Sequence, residues 1–177
     1  MDKTTDNYAK FWEYLSQNQK DLIQEGQYMM RDVLGDHVHL KFKDYSFIVF
    51  PFAKAYEGFL KELFKDIKFI SHLDYISDHL RLGKLLSPYL IGRLGDKSLY
   101  KKIEQSSSKE LADKIWQTWK IGRNQVFHYY PHNLKALTFE EAEVIVNQII
   151  QMMEEAYTTL NHKSETLNPK QYQNPNF

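Results

Sequence analysis

Apolar side chains recur along most of this chain at spacings of three and four residues, the period that places them on one face of an α-helix. The pattern predicts four long helices, over residues 8–34, 45–69, 107–129 and 138–160. Capping boxes, in which a serine or threonine precedes a glutamate by three residues, mark the starts at Ser107 and Thr138. Because the apolar stripes are wider than a coiled-coil seam, we predict an all-α fold, an up-and-down helical bundle.

The remaining stretches carry weaker signals. Residues 37–42 alternate apolar and polar side chains, so a short extended segment is expected there. Shorter helices are expected between residues 72 and 104, with a break at Pro88. Residues 161–177 contain two prolines and many Asn, Gln and Lys residues, a composition typical of a flexible tail. We therefore predict one domain over residues 1–160, followed by this polar tail.

Composition restricts the classes of function. The formal net charge is +0, so no overall field draws the chain to nucleic acid, and RNA binding would require a local basic patch. Cysteine is absent, which excludes disulfides and thiolate chemistry. The polar stretch Met1–Lys10 lacks the apolar core of a signal peptide, and no apolar run approaches the roughly 20 residues of a membrane span. We expect a cytoplasmic protein without membrane association.

The stretch from residue 121 to residue 133 gathers side chains that are suited to phosphate chemistry. Arg123 and His128 are five residues apart, or about 140° around an ideal helix, whereas Asn124 lies one turn before His128. Arg123 and His128 cannot converge on one straight helix. Either the helix distorts near His128, or a second copy of the chain supplies the missing group. Arginine presents a planar fork to phosphate oxygens, and histidine can accept or donate a proton near neutral pH.

The sequence Arg-Asn-x-x-x-His, from Arg123 to His128, resembles the Arg-(polar)-x-His signature of the HEPN superfamily of helical ribonucleases. Tyr130 extends it to Arg-x-x-x-x-His-x-Tyr, the form found in HEPN toxins that are paired with a nucleotidyltransferase antitoxin. The motif covers a small part of the chain, and the helical order around it also fits that family. Arg31 and His37, six residues apart, also fit an Arg followed by a His five to seven residues later, but Gly35 and Asp36 intervene, so the helix is expected to end before His37.

The resemblance implies a homodimeric endoribonuclease, a toxin or phage-defence effector, that needs no metal or cofactor. Its products would carry 2′,3′-cyclic phosphate and 5′-hydroxyl ends. Arg123 and His128 would be the catalytic residues, with Asn124 and Tyr130 in supporting contact with RNA. In the toxins paired with a nucleotidyltransferase, the tyrosine at the position of Tyr130 receives AMP groups, so the resemblance also implies an antitoxin partner.

Glu57 is an unusual member of the apolar stripe on the second predicted helix. A carboxylate on an apolar face is costly unless it has a partner. In HEPN toxins similar to the ribonuclease LS type, a glutamate on an earlier helix joins the Arg and His. Glu57 is our choice for that third catalytic residue, and Glu62 is the competitor. Alternatively, Glu57 has no catalytic role and lies at the boundary of the apolar face, where its charge reaches solvent or a nearby lysine.

Two other functions remain open from the sequence. The chain could be a HEPN-like module that binds a partner protein or nucleotide without cutting RNA. It could also be a helical interaction module in which His128, Tyr129 and Tyr130 form an aromatic cap at one end of the bundle. Other catalytic sites fit poorly, because no histidines or carboxylates have metal-ligand spacing and no complete P-loop is present.

Overall fold

The computed structural model describes residues 3–34, 41–128 and 135–167, and the regular secondary structure within these ranges is all helical. The all-α prediction is therefore confirmed. In chain order the helices are α1 (Lys3–Tyr14), α2 (Gln17–Leu34), α3 (Ser46–Asp66), α4 (His72–Ile76), α5 (Leu82–Leu85), α6 (Ile91–Leu94), α7 (Leu99–Ser106), α8 (Lys109–Trp119) and α9 (Phe139–Leu167). Of the predicted extended segment at 37–42, only Lys41 and Phe42 are described, and both lie outside any helix or strand.

Helix α3 is the centre of the bundle and packs against both α2 and α9. Its fully buried apolar side chains lie within about half of its circumference at 100° per residue; they are Ile48, Val49, Phe52, Ala55, Tyr56, Phe59, Leu60, Leu63 and Phe64. The predicted apolar stripe of this helix also includes Phe50, which is 52% exposed, so the stripe is wrong at that position. Glu57 is half-buried with Lys61 one turn away, as the boundary interpretation expects, and Lys54 and Lys61 mark the same open edge at spacings of three and four.

The helix predicted over residues 8–34 is in fact two helices, α1 and α2, which are separated at Leu15 and Ser16. The backbone N–H of Gln19 donates to Ser16 Oγ at 3.4 Å, and the Ser16 N–H donates to Gln19 Oε1 at 3.1 Å. This reciprocal pair is a capping box of the Ser-x-x-Gln form, and it starts α2. Phe11, Leu15 and Ile23 are all buried, so apolar residues continue across the break between α1 and α2. Because of this continuity, the sequence periodicity predicts a single helix.

Of the two predicted capping boxes, the one at the start of α9 agrees with the structure and the one at the start of α8 does not. The cap of α8 is Ser108, whose side chain accepts from the Leu111 N–H, so the predicted cap at Ser107 is wrong by one residue. The box at Thr138 is confirmed, because the Thr138 N–H donates to Glu141 Oε2 and the Glu141 N–H donates to Thr138 Oγ1.

Helix α9 extends past its predicted end at Leu160 and continues to Leu167. The part of the predicted tail that follows, residues 168–177, lies outside the described residues. At 29 residues α9 is the longest helix that the structure describes. Neither it nor any other helix in the described ranges is apolar enough over a sufficient length to cross a membrane.

Candidate functional site

Helix α8 does not end at Trp119 but continues as a π-helix over Lys120–Gln125. Backbone hydrogen bonds in a π-helix join residues five apart, and such segments are frequently found at functional sites. Gly122 lies inside this segment, and a Cβ built on it would be 2.9 Å from Ile149 Cδ1 of α9. The absence of a side chain therefore lets the π-helix lie directly against α9. Of the two alternatives that the sequence left open, the structure shows a distorted helix, and the distortion includes Arg123.

Arg123 is the best-defined member of the predicted site. Its Nη2 atom is 2.9 Å from Glu57 Oε2, and its guanidinium carbon lies 5.1 Å from the centre of the Trp119 ring. The carboxylate and the aromatic face together restrict the orientation of the guanidinium. The side chain of Arg123 nevertheless remains 43% exposed. Since arginine carries five N–H donors, an anionic ligand can reach the guanidinium while the Glu57 contact persists.

The structure separates the two candidate glutamates. Glu57 Oε2 contacts Arg123, and Glu57 Oε1 is 3.4 Å from Lys61 Nζ one turn further along α3. Glu62 instead accepts a hydrogen bond from Gln19 Nε2 at 3.0 Å, close to the capping box that starts α2. The two carboxylates are therefore held by different elements. Glu57 is the one that the fold brings to Arg123.

Trp119 supports Arg123 from inside the bundle, and its position on the apolar face of the third predicted helix indicates this burial. The residue is 2% exposed, and its ring centre is 6.3 Å from that of Tyr56. Among the described residues its indole N–H has no hydrogen-bond partner. A Cβ on Gly83 would come within 2.5 Å of that nitrogen, so α5 packs directly against the indole edge. The spacing of four between Trp119 and Arg123 is the signal in the sequence that points to their contact.

Tyr56 completes the buried side of this support. Its hydroxyl donates to the carbonyl oxygen of Ile115 in α8 at 3.2 Å, and burial raises the pKa of the phenol well above its usual value. The phenol therefore stays neutral and holds α3 to α8 one helical turn before Trp119.

The other predicted site residues are placed less fully. Asn124 lies in the π-helix and is half-buried, and His128 is exposed directly after a turn at Val126 and Phe127. Asn124 and His128 therefore do not lie on one straight α-helix, because the π-helix that holds Asn124 ends at Gln125 and a turn follows before His128. Tyr130 lies outside the described residues, so its predicted roles remain predictions.

Asp44 connects the two chain segments that lead into α3 and α9. Its Oδ1 atom accepts hydrogen bonds from the Ser46 hydroxyl at 2.6 Å, the Ser46 N–H at 2.9 Å and the Leu137 N–H at 3.1 Å. Burial alone would raise the pKa of Asp44, but these hydrogen bonds to the charged form lower it below its ordinary value. The Tyr45 N–H also donates to the Leu137 carbonyl at 3.0 Å. The chain beyond the Arg123–His128 motif is thereby held to the start of α3.

A cavity of about 530 Å³ lies elsewhere, between α8 and α9. It contains none of the predicted site residues. Its charged side chains pair with one another, as Lys109 with Asp113 at 3.0 Å and Lys114 with both Glu110 and Glu155 at 3.0 and 2.9 Å. The cavity therefore offers little uncompensated charge for an ionic substrate.

Within the described ranges, no three His, Cys, Asp or Glu side chains form a group that could hold a metal ion. Comparison of the chain with protein-family models, with curated proteins and with solved structures finds no significant match.

Proposed function

We propose that this chain is a metal-independent endoribonuclease of the HEPN type, which acts in the cytoplasm as a toxin or phage-defence effector. The observation that carries the proposal is the 2.9 Å contact between Arg123 and Glu57 in a π-helical distortion that leads directly to His128. The sequence motif and its resemblance to the HEPN superfamily point to these three residues together. The contact between two of them is the arrangement expected if a carboxylate orients a phosphate-binding arginine.

In the proposed reaction the ribose 2′-oxygen attacks the adjacent phosphorus, and the bond from phosphorus to the 5′-oxygen breaks. A base removes the proton from the 2′-hydroxyl, and an acid donates a proton to the departing 5′-oxygen. His128 has the chemistry for either proton transfer. Arg123 stabilises the added negative charge of the pentavalent phosphate, and Glu57 holds the guanidinium in place. The products are a 2′,3′-cyclic phosphate and a 5′-hydroxyl.

A second copy of the chain completes the proposed site. One His128 supplies one of the two proton transfers, so a homodimer with both Arg123–His128 sets on one cleft supplies both. A dimer in sedimentation experiments is the expected result, and a mixed dimer of one wild-type and one His128→Ala chain should lose activity, because it retains only one of the two histidines. A fully active monomer would contradict this arrangement.

The proposal also includes a nucleotidyltransferase antitoxin that adds AMP to Tyr130. The added phosphate would place negative charge close to the position of the RNA phosphate and would block its binding. Mass spectrometry of the protein after co-expression with such an enzyme should show added AMP on Tyr130 and not on the Tyr130→Phe variant. Unmodified protein would remove this part of the proposal.

The direct test is incubation of the purified protein with single-stranded RNA in excess EDTA, followed by identification of the fragment ends. Cleavage to cyclic phosphate ends is expected, and His128→Ala should slow it by about 10²–10⁴-fold. His72→Ala is the matched control, because His72 is an exposed histidine on α4, and its rate should be unchanged. Cleavage that EDTA abolishes, or that leaves a 3′-hydroxyl, would contradict the mechanism. Tight RNA binding without cleavage would instead indicate a non-catalytic binding module.

A further inference from the structure

We propose that Phe50 and Phe127 form a stacking site for an unpaired RNA base beside Arg123. The two rings contact each other edge to face, with centroids 5.6 Å apart and planes at 83°. Both remain largely open to solvent, since Phe50 is 52% exposed and Phe127 is 42% exposed. Two exposed phenylalanines in contact form an apolar surface that a planar ring can cover.

This ring pair belongs to the same helix contact as the Arg123–Glu57 ion pair. Phe50 precedes Glu57 by seven residues, or two turns of α3, and Phe127 follows Arg123 by four. The ring pair and the ion pair therefore join the same two segments, about 10 Å apart along α3 at 1.5 Å per residue. A base stacked on the rings would belong to a nucleotide close to the phosphate that contacts Arg123.

Positive charge surrounds the rings. Lys54 Nζ lies 5.7 Å from the centre of the Phe50 ring, on the turn between Phe50 and Glu57. Arg123 and Lys61 both contact Glu57, so one carboxylate is shared by two cations, and Lys54 adds a third positive charge next to the rings. In a chain with a formal net charge of +0, this edge is the local basic patch that binding to a polyanion requires. Aromatic faces beside cations are the chemistry that binds single-stranded nucleic acid.

RNA suits this surface better than a second copy of the chain. If the rings themselves formed the two-fold contact, Lys54 beside Phe50 would approach the same lysine of the other chain, whereas rings beside the shared cleft stay open to RNA. Lysine is also depleted from the cores of protein interfaces. RNA supplies the phosphates that neutralise the cations and the bases that cover the rings. The patch therefore forms a wall of the RNA cleft and not a contact between subunits.

The inference rests on the proposed ribonuclease function, and its test separates the two. Binding of a single-stranded RNA oligonucleotide is measured with full-length His128→Ala protein, so that the RNA stays intact, and with the same oligonucleotide made abasic. Phe127→Leu and Phe50→Leu should each weaken binding of the normal RNA by roughly 5- to 150-fold and leave binding of the abasic RNA unchanged. Phe127→Trp should retain binding, because it keeps an aromatic face.

Tyr89→Leu is the matched control, because Tyr89 is 83% exposed on a different surface turn, Pro88–Leu90, and its loss should change nothing. Equal losses on normal and abasic RNA, or no loss on either, would overturn the stacking site. Dissociation of a dimer by Phe127→Leu in sedimentation experiments would also overturn it and would assign the rings to a subunit interface. If the wild-type protein cleaves RNA and the phenylalanine variants bind RNA as well as it does, the proposed function stands and the stacking site fails. If binding depends on the bases but no RNA is cleaved, the stacking site stands and the proposed function fails.

Discussion

The α8 helix contributes to two polar surfaces, and they are organised in opposite ways. On the side towards α9, every charged residue that lines the cavity has an oppositely charged partner there. Hydrogen bonds from the Tyr100 hydroxyl and Lys109 lower the pKa of Asp113, and hydrogen bonds to Glu155 and Glu110 raise that of Lys114. These pKa shifts favour the charged forms, so the charges on this surface stabilise one another.

The surface at the far end of the same helix is not balanced in this way. There the backbone is π-helical, the buried indole N–H of Trp119 lacks a partner among the described residues, and Arg123 and Lys61 share one carboxylate. Local irregularity and uncompensated polar groups are expected where a fold is shaped for a ligand. The cavity between α8 and α9 is thus the structural surface, and the edge at Arg123 is the candidate site.

The most sensitive test of this difference between the two surfaces is to substitute the two glutamates of α3 one at a time. Glu57→Gln should slow RNA cleavage by up to about 10²-fold, because the guanidinium of Arg123 loses the carboxylate that orients it. Glu62→Gln should leave the rate unchanged, because Glu62 contacts Gln19 and not Arg123. Single-turnover cleavage rates measure both effects. A greater loss of cleavage rate for Glu62→Gln than for Glu57→Gln would identify Glu62 as the carboxylate of the site.

A methyl group at Gly83 should disturb the support beneath Arg123. Gly83→Ala places a carbon 2.5 Å from Trp119 Nε1, and a buried indole cannot move aside cheaply, so we expect a loss of about 1–3 kcal/mol in the free energy of unfolding. Gly92→Ala is the control, because nothing lies within 4 Å of its built Cβ. Urea unfolding of both variants measures the difference. Equal stabilities would show that Trp119 is not held tightly by α5.

Sequence periodicity predicted the existence of the long helices, because burial of one face acts over a few turns and leaves a readable spacing. The cap at Thr138 was readable for the same reason, since its partner Glu141 is three residues away. The spacing of Arg123 and His128 predicted a distorted helix as one alternative, but not its π-helical form, in which Gly122 lies against Ile149 of a helix that follows in the chain. The boundary position of Glu57 was readable from its charge, whereas the exposure of the apolar Phe50 was not, because only the packing of α2 and α9 decides it.

The Asp44 contacts predict a pH dependence of stability. Because the folded-state pKa of Asp44 is lowered, its contribution is present above the unfolded-state pKa of about 3.9 and is lost as the pH falls through the folded-state value. Asp44→Asn should therefore cost about 1–2 kcal/mol at pH 7, the scale of a lost helix cap, and less as the pH falls below about 4. Urea unfolding at several pH values measures this gap. Asp32→Asn, at an exposed position on α2, should show no such gap. A gap for Asp44→Asn that stays constant with pH would contradict the assignment.

The smallest expected effect concerns the start of α8, far from the candidate site along the helix. Ser108→Ala should lower the free energy of unfolding by about 1 kcal/mol, because it removes the acceptor for the Leu111 N–H. Ser107→Ala should remain within about 0.5 kcal/mol of wild type, because Ser107 does not cap α8. Thermal or urea unfolding distinguishes the two variants, and RNA cleavage should be unchanged in both. A larger loss at Ser107 would place the cap where the sequence first predicted it.

The most direct test of the central claim compares one cation from each surface of α8 and its π-helical extension. Arg123→Ala and Lys114→Ala each remove one positive charge, and single-turnover cleavage of the same RNA is measured for both. We predict a loss of about 10²–10³-fold for Arg123→Ala, because the pentavalent phosphate loses its principal charge stabilisation. Lys114→Ala should keep the wild-type rate, because Lys114 serves only ion pairs with Glu110 and Glu155. Equal rates for the two variants, or a greater loss at Lys114, would contradict the assignment of the site to the Arg123 edge.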